Sequence, residues 1–127
     1  MNTDDLVAAL RACAAGLYPL EAGTELLISN STFLHRDDFT GRFITSGPSS
    51  GTPIAAIDWD AAITALNGSL PCSGGERRIL LLSASLAAGT PVSLRDTVTG
   101  LDQDNTARLL TAIQRAAGWR SGDNGYR

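Results

Sequence analysis

Apolar residues recur at helical spacing over most of the chain. The first apolar stripe has steps of four, three and four residues and consists of Leu6, Leu10, Cys13 and Leu17. This spacing places all four side chains on one face of a helix. It predicts a first helix that begins near residue 2 or 3 and ends near Leu17.

Further helices are predicted where apolar periodicity lies between capping residues, prolines and glycines. They cover about 20–29, 36–42, 59–66 and 74–87. A short helix that opens over 93–96 and carries Leu94 and Val98 is ended by Gly100, and a last helix runs from a cap at Asp102 or Asp104 to about 117. The helix over 74–87 is apolar around much of its circumference, so we expect it to be the central buried helix with Leu82 in the core. In the last helix the residues expected to point inward are Leu109, Leu110, Ile113 and Ala117.

The pattern changes after the third helix to short β-compatible runs at 43–45 and 54–57. The connector over 46–52 contains only Gly, Pro, Ser and Thr, which are turn-forming residues. We therefore predict a small β-hairpin near 43–57 with an exposed and mobile tip. The whole pattern predicts a mainly α fold, a compact domain of five to seven helices over 1–119, followed by a flexible C-terminal tail over 120–127.

Composition is that of an ordinary globular domain. The 127 residues are 43% hydrophobic and 18% charged, with a net charge of −3. No apolar run approaches the roughly 20 residues that a membrane span needs, and the N-terminus lacks the basic start of a secretory signal. We therefore predict a cytoplasmic protein that does not contact a membrane. Cys13 and Cys72 have no metal-ligand spacing and are expected to be reduced and partly buried.

The sequence around residue 73 contains the clearest local motif. Ser73 and Glu76 have the spacing of a capping box, in which each side chain bonds the other residue's backbone N–H at a helix start. Because exposed glycine amides at a helix start can bind an anion, Ser73, Gly74 and Gly75 form a candidate anion site. The same segment resembles the signature loop of ABC-type ATPases, but no Walker A loop accompanies it. No cofactor is predicted.

Catalysis by a nucleophile and base would have to use His35, the only histidine. An acidic cluster is the other enzymatic candidate, because folding could gather the two Asp pairs at positions 37–38 and 58–60. Both pairs lie at predicted helix starts, which explains them without a metal. No metal site is therefore predicted, and a small enzyme ranks third among the functional hypotheses.

A winged-helix-like DNA-binding regulator is the second hypothesis. The segment 20–43 can form two helices joined by a tight turn, and the predicted hairpin would then be the wing. Its would-be recognition helix carries Arg36 and Arg42 but also Asp37 and Asp38, and the hairpin tip has no Arg. Because a DNA reader clusters positive charge on that surface, nucleic acid is a disfavoured partner.

Three segments resemble small uncharacterised proteins of GC-rich bacteria: 33–39, 57–60 and 73–80. That resemblance implies a grouping but neither an activity nor residue roles. Since no catalytic set or cofactor motif is assembled by the sequence, the first hypothesis is a protein-interaction or regulatory accessory module. Its expected partner is another protein or a second copy of the chain.

Overall fold

The fold is mainly α, as predicted. The computed structural model describes residues 1–30 and 32–119. These residues form seven α-helices, a 3-10 helix at Phe33–His35 and a two-stranded hairpin. The elements are α1 Thr3–Ala14, α2 Tyr18–Asn30, α3 Asp37–Phe43, β1 Ile44–Ser49, β2 Thr52–Ile57, α4 Trp59–Ala65, α5 Gly74–Ala88, α6 Leu94–Val98 and α7 Gln103–Ala116. The predicted tail over 120–127 lies outside the described residues.

Helix α5 is central to the core, as its apolar circumference predicts. Leu80 and Ala84 lie on its side facing the aromatic cluster that includes Phe33, Phe39 and Trp59. A different set of its side chains, among them Ile79 and Leu82, packs with Leu26 and Leu109 of the neighbouring helices. Leu82 is 3% exposed, so its predicted burial is confirmed. The helix ends at Gly89, whose φ of 74° is the left-handed conformation that closes a helix.

Helices α2 and α7 run antiparallel beside each other. Asn30 at the end of α2 bonds Asn105 at the start of α7, and the Tyr18 ring at the start of α2 lies against Gly118 just after α7. Between these ends Leu26 packs with Leu109 and Ala112. The start of α7 therefore lies at the same end of the molecule as the end of α2.

Two predictions of inward-facing residues are wrong. Helix α1 ends at Ala14, because Ala15 has a non-helical ψ of 128° and Gly16 follows with a φ of 88°. Leu17 therefore lies beyond the helix and is 59% exposed. In α7 the side facing α2 is that of Leu109 and Ala112. Three residues predicted to be inside are therefore exposed: Leu110, Ile113 and Ala117.

The hairpin is confirmed, but its predicted tip is mostly strand. Antiparallel pairing extends from Ile44 opposite Ile57 to Ser49 opposite Thr52, so only two residues form the turn. Ser50 and Gly51 have φ of 51° and 81°, the pair of positive values typical of a tight type I′ turn. The predicted exposure of residues 46–52 is confirmed, and backbone pairing gives strand structure to a segment whose side chains alone suggest a loose connector. No helix among the described residues is long and apolar enough to cross a membrane.

Candidate functional site

The start of α5 has the predicted capping box. The Ser73 hydroxyl accepts a hydrogen bond from the Glu76 backbone N–H at 3.2 Å, and the Glu76 carboxylate accepts one from the Ser73 N–H at 2.8 Å. Both bonds satisfy donors that a helix start leaves unpaired. They also place a carboxylate at one side of the helix N-terminus, where it opposes the positive end of the dipole.

The backbone N–H groups of Gly74 and Gly75 are not used by this cap. Neither donates to an acceptor in the part of the chain that the structure describes. Gly74 is exposed and Gly75 is half-buried, so both amides are near solvent. The three predicted residues therefore have different roles: Ser73 forms the helix cap, whereas the N–H groups of Gly74 and Gly75 are free to donate to a ligand.

Arg78 extends back over this helix start. One guanidinium nitrogen lies 3.1 Å from the position that a β-carbon of Gly74 would occupy, and another lies 3.2 Å from the corresponding position at Gly100. The absence of side chains at the two glycines lets the guanidinium lie against backbone on both sides. Within the described residues the Arg78 guanidinium has no hydrogen bond and no acidic partner.

Asn105, in the first turn of α7, reaches the same place from a different helix. It is 6% exposed, and its amide oxygen accepts hydrogen bonds from Asn30 Nδ2 at 3.3 Å and from an Arg108 nitrogen at 2.8 Å. Its amide nitrogen lies 3.9 Å from the position of a β-carbon on Gly75. We call the group formed by Gly74, Gly75, Arg78 and Asn105 the α5–α7 junction.

Sequence reasoning missed Arg78 and Asn105. The signal for Arg78 is its position four residues after Gly74, which places both on one side of a helix. Asn105 has no such signal, because its approach to Gly75 depends on how α7 packs. The sequence can therefore indicate Gly74, Gly75 and Arg78 as members of the junction, but not Asn105.

Beside the junction lies a second cluster, around Arg36. Its guanidinium binds Asp38 at 2.6 Å, approaches Glu76 at 3.6 Å and donates to the Cys72 sulfur at 3.8 Å. The bond from Arg36 holds the pKa of Asp38 below its ordinary value. Burial raises the pKa of Cys72, and this effect outweighs the opposing influence of Arg36. Cys72 is thus a protonated thiol near neutral pH, unlike the thiolate of a catalytic nucleophile.

His35 is not paired with a nucleophile or an acid among the described residues. It is exposed and lines an open cleft of about 430 Å³ together with Asp37 and Ser46. Its side chain forms no hydrogen bond with either of them among the described residues, so no base is paired with a nucleophile. His35, Asp37 and Ser46 thus share one cleft, but their side chains do not form the hydrogen bonds that would activate a nucleophile.

The Asp pairs at positions 37–38 and 58–60 have separate roles in the fold. Asp58 caps α4 by accepting from the Ala61 N–H at 3.1 Å, and Asp38 binds Arg36. In residues 1–30 and 32–119 no three His, Cys, Asp or Glu side chains are grouped so that they could hold a metal ion. Folding therefore does not gather the acidic cluster that an enzymatic hypothesis would use.

The arginines of the would-be recognition helix are occupied by the fold. Arg36 is bound to Asp38, whereas Arg42 donates to the carbonyl and hydroxyl oxygens of Ser69 at 3.0 and 2.8 Å and lies over the Phe43 ring. Side chains held in this way are not free to reach phosphates, which argues against the winged-helix hypothesis.

Cys13 is free and partly buried, as is Cys72, in agreement with the prediction. Cys13 lines an apolar cavity of about 140 Å³ beside Leu10 and Trp59, where α1, α2 and β2 meet. No charged side chain lines this cavity. It therefore offers space for apolar atoms but no charge to orient a polar ligand.

The outer face of α7 is an apolar surface that the sequence hypotheses did not anticipate. Leu110 is 57% exposed and Ile113 is 44% exposed, and both lie on a row of exposed residues that we call the α7 ridge: Thr106, Leu110, Ile113 and Ala117. No residue of the ridge is charged. Arg108 and Arg115 instead line the groove of about 340 Å³ between α2 and α7.

Comparison of the chain with family models, with curated proteins and with solved structures gave no match.

Proposed function

We propose that this protein is a protein-interaction module that pairs with a second copy of itself through the α7 ridge. The observation that carries the proposal is the exposure of Leu110 and Ile113 on a face without charge. Burying such side chains away from water is favourable by about 25 cal/mol per Å². An exposed apolar row on an otherwise well-packed helix is typical of an interaction surface.

The spacing of the ridge favours a second copy as the occupant. Its residues follow one another at steps of four, three and four, so the spacing is the same when read in either direction. A twofold axis across the middle of the ridge would place Leu110 opposite Ile113 of the partner, and Thr106 opposite Ala117. Twofold interfaces require self-complementary surfaces of this kind. Because the ridge carries no charge, two copies of it can meet without bringing like charges together.

The apolar surface extends beyond the ridge toward the end of α7. Trp119 is 50% exposed, and Leu17, which is 59% exposed, precedes the Tyr18 ring that lies against Gly118. A stable interface buries roughly 800 Å² on each partner, about a tenth of a small protein's surface. The accessible surface of this protein is 7222 Å². A dimer interface centred on the α7 ridge would therefore bury about a tenth of it on each partner.

Sedimentation equilibrium over a wide concentration range tests the proposal. We expect the wild-type chain to form a dimer and Leu110→Glu to remain monomeric with unchanged circular dichroism, because Leu110 lies outside the core. Ala8→Glu is the matched control: it adds the same charge at an exposed helical position of α1, beside the hairpin, and should still dimerise. A wild-type chain that is monomeric at every concentration, or a Leu110→Glu chain that dimerises as well as the control, would overturn the proposal.

A further inference from the structure

The α5–α7 junction brings together three kinds of hydrogen-bond donor, and none of them has an acceptor among residues 1–30 and 32–119. The first kind is the pair of backbone N–H groups of Gly74 and Gly75 at the start of α5, a helix of 15 residues. Such N–H groups point out of the helix end and carry part of the positive end of its dipole. They favour an anion, but a helix start alone does not make a site.

Asn105 supplies the second, independent donor. Two donors, Asn30 Nδ2 and an Arg108 nitrogen, point at one of its amide atoms, so that atom must be the oxygen. The other atom is then the NH₂ group, and it faces Gly75. The side chain is 94% buried, and its NH₂ donates to no acceptor in the described chain. The NH₂ group is therefore a fixed donor that a ligand or a water molecule can complete.

Arg78 supplies the third kind, a full positive charge. Its guanidinium lies over Gly74 and Gly100 and is half-buried, with no acidic partner among the described residues. The other arginines near the start of α5 are already engaged, since Arg36 binds Asp38 and Arg77 donates to the Leu66 carbonyl. Arg78 therefore brings to the junction a charge that forms no ion pair within the part of the chain that the structure describes.

We propose that the α5–α7 junction binds the phosphate group of a small ligand, independently of the α7 ridge. The guanidinium of Arg78, the amide of Asn105 and the N–H groups of Gly74 and Gly75 would share its oxygens, because a tetrahedral oxyanion accepts from several donors at once. Two carboxylates lie nearby: Glu76 is turned to the Ser73 N–H and to Arg36, and Asp102 is turned to the Asn105 N–H. Both are held by the caps of their own helices.

Titration with inorganic phosphate, followed by calorimetry and by the thermal midpoint of unfolding, tests this site. We expect saturable binding to the wild-type chain, and an affinity at least about tenfold weaker in Arg78→Gln, the loss expected for a charged hydrogen bond. Gly75→Ala should fold, since its β-carbon would lie at an ordinary 3.9 Å from the Asn105 nitrogen. Its methyl group would nevertheless occupy the space in front of that nitrogen and abolish binding.

Arg11→Gln is the control, because it removes an arginine that is paired with Glu25 and lines a cleft with Arg115, near the end of α7 rather than at its start. This variant should bind phosphate as the wild-type chain does. Phosphate also stabilises proteins without binding, so the comparison between variants decides. An unsaturable stabilisation that is equal in all four chains overturns the proposal. A second titration with glycerol 3-phosphate distinguishes the source: stronger binding assigns a phosphate ester, and equal or weaker binding assigns the free ion.

Discussion

A β-carbon on Gly23 would collide with the Ser83 carbonyl oxygen, because α2 crosses α5 with almost no space between the two backbones. The same atom would lie 2.5 Å from the Ala87 side chain and 2.8 Å from the Ala87 nitrogen. Both helices are held there by other contacts: Leu26 and Leu27 of α2 are buried against side chains of α5. Neither backbone can retreat without opening the core.

Gly23→Ala should therefore destabilise the fold, by about 1–3 kcal/mol or more, the usual cost of overpacking. The loss occurs although alanine is the better helix former. Gly41→Ala in α3 is the matched control, because a β-carbon there would meet nothing within 4 Å, and it should stabilise by about 0.4–1 kcal/mol. Urea denaturation of both variants measures the difference. Equal free energies of unfolding would mean that the close crossing does not exist.

Leu82→Ala should cost about 2–5 kcal/mol, because the residue is buried between α5, α2 and α7 and its loss leaves a cavity. Leu94→Ala removes the same atoms from a position that is 60% exposed at the start of α6. That control should change the free energy of unfolding by less than about 0.5 kcal/mol. A loss of that small size in Leu82→Ala would contradict its place in the core.

Local signals predicted most of the fold. The caps at Asp58 and Ser73 and the glycine at position 89 all lie where the sequence places them, because each acts within one turn of its own helix. The orientation of α7 could not be predicted in this way. Alanines flank the larger apolar residues around α7, so the pattern does not single out one inward side. In the structure α2 packs against the side that carries Leu109 and Ala112.

The candidate site shows the same division. Ser73, Gly74 and Gly75 are readable because they are adjacent in the sequence. Asn105 reaches Gly75 only because α7 begins beside the start of α5, a relationship set by packing between distant segments. The extent of the strands could not be predicted for a related reason: pairing of β1 with β2 includes residues whose own side chains give no strand signal.

Ser73→Ala should reduce the free energy of unfolding by about 0.5–2 kcal/mol, because it removes the acceptor for the Glu76 N–H. Ser73→Asp retains a side-chain oxygen at the cap and should restore most of this loss. Thermal denaturation followed by circular dichroism compares the three chains. If Ser73→Ala is as stable as the wild type, the capping box does not contribute to the stability of α5.

The last prediction concerns the pH dependence of the Cys72 thiol. Burial raises its pKa in the folded chain, so the thiolate that reacts with iodoacetamide forms at higher pH than in the unfolded chain. In a Cys13→Ala background, the alkylation rate of the folded protein should therefore rise at higher pH than that of the same chain in denaturant. The corresponding stability is present below the unfolded pKa and is lost as the pH rises through the folded one.

Arg36 works against this rise, because its guanidinium donates to the sulfur and favours the thiolate. Arg36→Gln should consequently move the alkylation profile to still higher pH. Arg42→Gln, whose guanidinium binds Ser69 instead, is the control and should leave the profile unchanged. A folded profile at the same pH as the denatured one would show that burial does not govern this thiol. A shift to lower pH in Arg36→Gln would show that the arginine does not stabilise its charge.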